Sequence, residues 1–176
     1  GTFGWVVPED KNIVRIGLIG NKNVKEQFDK LCKDYNITKI LCYQGGIIPK
    51  YNRKVKTQKD NVYLIGDAAL QVKATSAGGI IQSLIAGQAL TKAITKNKSY
   101  EKEWRKQMGK DLWLHAVMRK IMDKLKDKDV EYCIKLCNQK RIKKILETSD
   151  REYPSKFLLK MLIKEPRLLY FTKFLL

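Results

Sequence analysis

The chain has 176 residues, 44% of them hydrophobic and 31% charged; that composition allows a sizeable core and excludes an intrinsically disordered segment. Its formal net charge is +18, with lysine far outnumbering arginine; such a field draws phosphates, on nucleic acid or on anionic lipid, and is also what a solvated lysine-rich surface produces. The lysines are spread along the chain rather than gathered in one arm, which argues against a specific nucleic-acid partner, and no apolar run reaches the ~18 residues needed to cross a bilayer.

In chain order, two extended runs come first, FGWVVP and IVRIGLIG, joined by the polar stretch Glu9-Asp10-Lys11-Asn12; this predicts a hairpin. Val24, Phe28, Leu31, Cys32 and Tyr35 recur at helical spacing and predict an amphipathic helix. Residues 40–48 read as extended again, with Gly45-Gly46 as a bulge or a point of close approach. Residues 51–60 are polar and turn-like. Val62 to Ile65 is short and wholly apolar, the pattern of a strand buried on both faces. A loop over 67–77 follows, and then a helix over 78–96 whose apolar character on most sides predicts burial.

From Ser99 onward the pattern is helical. Ser99 is a suitable N-cap, and Glu101 and Glu103 fall in the first turn, where the helix dipole favours acid. One long amphipathic helix is predicted to about Lys126. Shorter helices follow over 130–137, 141–146, 155–163 and 166–175, separated at Asp129, Ser149-Asp150 and Ser155, with Pro154 and Pro166 setting two of the starts. Cys32, Cys42, Cys133 and Cys137 form no C-x-x-C pair. Cys133 and Cys137 lie one helical turn apart but have no neighbouring His or further Cys. No metal site is therefore predicted; reduced, buried thiols of a cytoplasmic protein are.

The stretch VYLIGDAALQVKATSAGGIIQ carries the chemistry. An apolar strand ending in Gly66-Asp67 delivers a carboxylate to the strand's C-terminal edge, where α/β sheets bind ligands. Gly78 and Gly79, opening the next helix, let backbone N–H groups approach a ligand, and the helix N-terminus favours an anionic oxygen or an electron-rich ring. One site could thus grip a polyol through Asp67 and an electron-accepting group through the amides of Gly78, Gly79 and Ile80. The same residues also suit a plain helix start with Asp67 in a turn. Local chemistry leaves both open.

This stretch resembles the second flavin-binding motif of FAD-dependent oxidoreductases of the hydroxybenzoate-hydroxylase type. It is most similar to the archaeal geranylgeranyl reductase family, the digeranylgeranylglycerophospholipid reductases among them. FGWVVP followed by IVRIGLIG, the Tyr100-x-x-x-Trp104 helix in SYEKEWRKQMGKDL, and REYPSKFLLKMLIKEPRLL resemble further stretches of that family, in register. Some residues depart from the family pattern. Ala74 replaces a usual Pro; Ala77 replaces the first of three glycines, predicting ordinary backbone angles there; Leu70 replaces a common Gly; and Phe3 replaces a Tyr.

The resemblance implies an α+β fold: the C-terminal part of a hydroxybenzoate-hydroxylase-type flavoprotein, with a remnant of the substrate-binding sheet over 1–56, a flavin-binding strand–loop–helix over 57–98 and a helical region over 99–176. It implies an enzyme, a reductase that saturates C=C bonds of polyprenyl lipid chains by hydride transfer from reduced FAD. Asp67, after Gly66, would take the ribityl chain, and the amides of Gly78, Gly79 and Ile80 the pyrimidine edge. Gln71, Val72 and Lys73 would line the loop, with Lys73 either solvated or steadying the reduced ring. Trp5 and Pro8 would wall a tunnel for the prenyl chain; Trp5 suits a core aromatic equally well. No catalytic acid is assigned, and the lone His115 lies far along the chain from the loop.

The family's G-x-G-x-x-G is absent and the first residue is not Met. The expectation is a C-terminal piece of a longer or split protein, with a dinucleotide-binding half or partner chain elsewhere. An electron donor, NAD(P)H or ferredoxin, is also expected, as is a cytoplasmic protein peripheral to the inner membrane surface. The basic, apolar tail from Lys156 to Leu176 has the composition of an interfacial helix facing anionic lipid. The alternatives are another flavin monooxygenase with the same motif, or a non-catalytic basic module for membranes or nucleic acid.

Overall fold

A computed structural model describes residues 3–175. The chain divides into two compact units at Gly46/Ile47. The boundaries read from the sequence at 56/57 and 98/99 both fall inside the second unit.

In the first unit, β1 (Phe3–Pro8) and β2 (Val14–Ile19) form an antiparallel hairpin. Asp10 holds its turn by accepting from the N–H groups of Asn12 and Ile13 at 2.7 and 2.8 Å. Trp5 pairs with Gly17 across the ladder. Its indole lies over that glycine so closely that a Cβ there would stand 2.1 Å from the ring. The amphipathic helix α1 (Val24–Asp34) packs against β2 and buries Cys32. Residues 38–57 form no strand, contrary to the extended reading of 40–48, and nothing approaches the Cβ positions of Gly45 or Gly46. Extended sequence without a pairing partner stays irregular, because a strand is stabilised by its neighbours rather than by its own propensity.

The second unit opens with a two-residue ladder, β3 (Gln58–Lys59) against β4 (Val62–Tyr63). The predicted doubly buried strand is corrected here: Val62 is 65% exposed and Leu64 38%. Four apolar residues in a row do not distinguish a central strand from the end of a short ladder. A 3₁₀ turn (Gly66–Ala69) and the glycine loop lead into α2 (Ile80–Thr95). Then come α3 (Tyr100–Trp104), a π turn (Arg105–Gly109) and α4 (Lys110–Met122), one nearly continuous helix with the Ser99 cap in place.

The C-terminal part comprises α5 (Asp127–Cys137), α6 (Lys140–Thr148), a 3₁₀ turn (Pro154–Lys156), α7 (Leu158–Lys164) and a 3₁₀ stretch (Pro166–Leu175). Asp129, read as a breaker, lies in the first turn of α5, where it accepts from Lys126 N–H at 3.2 Å and from the Tyr170 hydroxyl at 2.9 Å. Cys42 is exposed and Cys133 and Cys137 are half-buried, so only Cys32 meets the expectation of a buried thiol. Hydrogen bonding between the two helical thiols lowers Cys137 to about 7 and raises Cys133.

The core lies between α2 and the α3–α4 helix. Ala86, Ala89 and Ala93 meet Tyr100, Trp104, Met108 and Leu112. Small residues on α2 let the large rings of α3 approach closely, and close packing of this kind is what a core requires. The prediction that α2 is buried on most sides does not hold: Ile80, Ile81, Leu84 and Ile94 face outward, Ile80 at 79% exposure.

Two polar anchors fix the core to the preceding turn. Trp104 Nε1–H donates to Thr57 Oγ1 at 2.8 Å. The Tyr100 hydroxyl donates to the Leu64 carbonyl at 2.8 Å and accepts from Gln71 Nε2 at 3.2 Å, while Gln71 Oε1 accepts from Gly66 N–H at 2.8 Å. Tyr100 and Gln71 are both 0% exposed. Removing the hydroxyl leaves a carbonyl and an amide unpaired away from water. Tyr100→Phe is therefore expected to lower unfolding free energy by about 1–3 kcal/mol, measured by urea denaturation; an unchanged midpoint would contradict the anchor.

Candidate functional site

The site is built on residues 64–83 of the second unit. Ile65 is extended, and Gly66 then takes φ +65°, a left-handed angle that a side chain resists. A Cβ on Gly66 would also stand 2.6 Å from Ser83 Oγ. The sharp turn points Asp67 outward: its carboxylate is exposed, and no cation or donor side chain among the described residues pairs with it. The same carboxylate lies against the backbone of Gly79, where an added Cβ would meet Asp67 Oδ1 at 2.9 Å. Asp67 and the start of α2, twelve residues apart in sequence, are thus brought side by side.

Gly79 is the N-cap of α2 and supplies no capping side chain. Among the described residues no carbonyl or side chain accepts from the N–H groups of Gly78, Gly79 or Ile80. The Gly79 carbonyl accepts from the Ser83 backbone and hydroxyl, both at 2.8 Å, which holds the first turn in place. The result is an exposed carboxylate beside three amides that have no acceptor among the described residues, at the positive end of a 16-residue helix. An acceptor for hydroxyls therefore sits next to donors for an electron-rich edge.

The remaining predicted site residues face inward. Gln71 is wholly buried in the Tyr100 anchor, and Val72 is 1% exposed. Lys73 is neither solvated nor open to a ligand: its ammonium pairs with Glu152 in a part-buried bridge. Any contact these three make with a ligand is through backbone. Trp5 and Pro8 belong to the first unit, where Trp5 is 40% exposed.

Sequence reasoning missed the polar cluster under the loop. Glu152 accepts from Lys73 and, at 2.7 Å, from Gln82 Nε2. Burial would raise the Glu152 carboxyl, but the hydrogen bonds from Lys73 and Gln82 hold it below the usual carboxylate range. Thr75 Oγ1 and His115 Nδ1 are 2.8 Å apart. Burial, aided by the Lys73 charge, pushes His115 below the usual histidine range. The Gln82 and His115 side chains come from α2 and α4, and Glu152 from the stretch after α6. No local pattern announces such a meeting.

Ala77 and Leu70 both adopt left-handed backbone, φ +56° at each. The expectation of ordinary angles at Ala77 is corrected: the loop keeps a glycine-like shape with a side chain in place. Its bonds dictate this, since Ala77 N–H donates to the Lys73 carbonyl at 2.9 Å and Lys73 N–H to the Gly78 carbonyl at 3.0 Å.

No family model matches the chain, and no solved structure matches it. Over 101 residues it is 35% identical to the uncharacterized protein MJ1520 of Methanocaldococcus jannaschii, a match covering 51% of this chain and 26% of that protein. It is also distantly similar to a digeranylgeranylglycerophospholipid reductase. That relative, from Sulfolobus acidocaldarius, is 26% identical over 102 residues, covering 53% of this chain and 23% of the reductase. The matched part is about a quarter of the length of each of these relatives.

The strained alanine gives a direct test of the loop's shape. A left-handed non-glycine residue costs about 1–2 kcal/mol, partly offset by glycine's larger unfolded-state entropy. Ala77→Gly is expected to stabilise the chain by about 0.5–1 kcal/mol in thermal or urea melts; destabilisation would contradict the conformation.

Proposed function

We propose that the chain is part of a flavin-dependent reductase acting on polyprenyl lipid chains, and that the Asp67–Gly79 cradle is where it meets the flavin. One observation carries this reading: a free, outward carboxylate in contact with the capless, glycine-opened start of a long helix. The distant similarity to a lipid reductase supports the same assignment.

The residues present suit FAD at one end of that molecule. Asp67 would accept from ribityl hydroxyls, and the N–H groups of Gly78, Gly79 and Ile80 would face the pyrimidine edge of the ring. Bound FAD supplies hydride chemistry that no side chain can. The chain's own contribution is placement and electrostatics. The amides of α2 favour negative charge where they point, because they are preorganised donors backed by the helix dipole. The Ser83 hydroxyl and the Gly66 turn keep Asp67 at a fixed distance from those amides. The buried Gln71–Tyr100 anchor keeps the turn from relaxing when a ligand arrives.

The G-x-G-x-x-G that would hold the pyrophosphate end is not present in this chain. A dinucleotide-binding half, on the same polypeptide or on a partner chain, would provide it. FAD should therefore bind this chain alone weakly but saturably, more weakly than micromolar. Asp67→Asn, which loses a charge-assisted acceptor, is expected to weaken it about tenfold. Fluorescence titration checks this: no saturable binding, or equal affinity for the variant, contradicts the assignment.

The substrate class brings a membrane into the proposal. Leu159 and Ile163 lie one turn apart on the exposed side of α7 beside Lys160 and Lys164, with Leu169 and Leu175 exposed further on. Only part of the predicted apolar tail is so placed: Met161 and Phe171 are buried, and Leu176 lies outside the described residues. No helix among the described residues is long and apolar enough to span a bilayer. Contact with an anionic surface through this patch predicts stronger co-sedimentation with anionic than with neutral liposomes, reduced by salt. Equal pelleting with both would remove the membrane from the proposal.

A further inference from the structure

The C-terminal segment after α6 matches no flavin motif, yet it reaches under the glycine loop. Glu152 is its key residue. One carboxylate oxygen takes the Lys73 ammonium from the loop, and the other takes Nε2 of Gln82, the third residue of α2. Lys73 and Gln82 flank the whole segment 74–81, so Glu152 ties together both ends of the stretch that carries the Gly78–Ile80 amides.

Four further contacts make the tie specific. The Lys73 side chain runs directly beneath Gly78, where an added Cβ would stand 3.2 Å from Lys73 Cε. Asp111, on α4, accepts from Ser155 N–H at 2.7 Å and so anchors the segment that carries Glu152. Glu152 N–H itself donates to Asp150 Oδ1 at 2.9 Å. Thr75 is held by His115 of the same helix α4. The Lys73 and Glu152 side chains are only 10% and 12% exposed, so their charges are weakly screened and strongly dependent on each other. The exposed Arg151, whose Nε lies 3.9 Å from Glu152, adds little to such a pair.

We propose that Glu152 is a positioning residue: by holding Lys73 and Gln82 at once it fixes the shape of residues 72–79 and, through that, the direction of the Gly78–Ile80 amides. The loop part of this inference stands on the contacts above; its consequence for a ligand rests on the flavin reading. The C-terminal segment is then a strut of the site rather than a separate appendage.

Hydrogen exchange tests the strut without any ligand. In Glu152→Gln, amide exchange over 72–79 is expected to rise by about tenfold or more, while the core amides over 86–93 and 104–112 exchange as in the unsubstituted chain. Lys73→Gln, which removes one tie, should loosen the same segment, and the double variant should be no looser than Glu152→Gln alone, because that single change already removes the Lys73–Glu152 ion pair. If Glu152→Gln does not fold, Gln82→Met, which removes one of the two ties, carries the same comparison. Unchanged exchange over 72–79, or a rise equal in loop and core, overturns the strut. FAD titration of the same variants then separates the two readings. A loosened loop with weakened FAD binding supports both. A loosened loop with unaltered FAD binding keeps the strut and contradicts the flavin role of the amides.

Discussion

The second unit depends on one buried hydrogen-bond relay: Leu64 carbonyl to Tyr100 hydroxyl to Gln71 amide to Gly66 N–H. Every group in it is backbone or a wholly buried side chain, and each leaves its neighbour unpaired if lost. The relay joins the end of β4 to the first turn of α3, across the loop that α2 closes. It lets Gly66 hold a left-handed angle, and that angle turns Asp67 outward. Without the relay there is no reason for a carboxylate to sit against the backbone of Gly79.

A division of labour follows. The loop's side chains Gln71, Val72 and Lys73 are spent on the interior, and its backbone and Asp67 are left to face outward. Such a loop suits a ligand recognised mainly through main-chain donors, because main-chain groups on a bonded scaffold move little. The neighbouring polar cluster of Lys73, Gln82, Glu152, Thr75 and His115 is costly to bury, and two of its buried atoms, Gln82 Oε1 and His115 Nε2, have no hydrogen-bond partner among the described residues. It holds the loop in one shape rather than contributing a large surplus of stability.

Much of this was legible in the residues. The hairpin shows in two apolar runs around a polar turn, α1 in its 3–4 spacing, and α3 in the Ser99 cap with acids behind it. All are local signals. The paired Asp67 and Gly78–Gly79 stand out because glycine and a lone carboxylate need a reason to occur at a strand end and a helix start. What was not legible depends on distant partners. Residues 40–48 have strand-like composition and no strand to pair with. Residues 62–65 look like a central strand but form the end of a two-residue ladder. The inward turn of Lys73 is set by Glu152, far along the chain, and Ala77's left-handed angle is imposed by bonds to Lys73 and Gly78 rather than by its own preference. The outward face of α2 was hidden by composition, since apolar residues on every side suggest burial whether or not anything covers them.

The central claim is that Asp67 and the opening amides of α2 together form one face for a flavin. Amide chemical shifts recorded as FAD is added to the isotope-labelled chain test it most directly. The account predicts that the largest changes fall on Gly78, Gly79 and Ile80, with Asp67 and Ala68 next, and that the helices beyond α4 stay still. Changes scattered over the lysine-rich surface, with those residues unmoved, would mean that the chain attracts the cofactor's phosphates and nothing more.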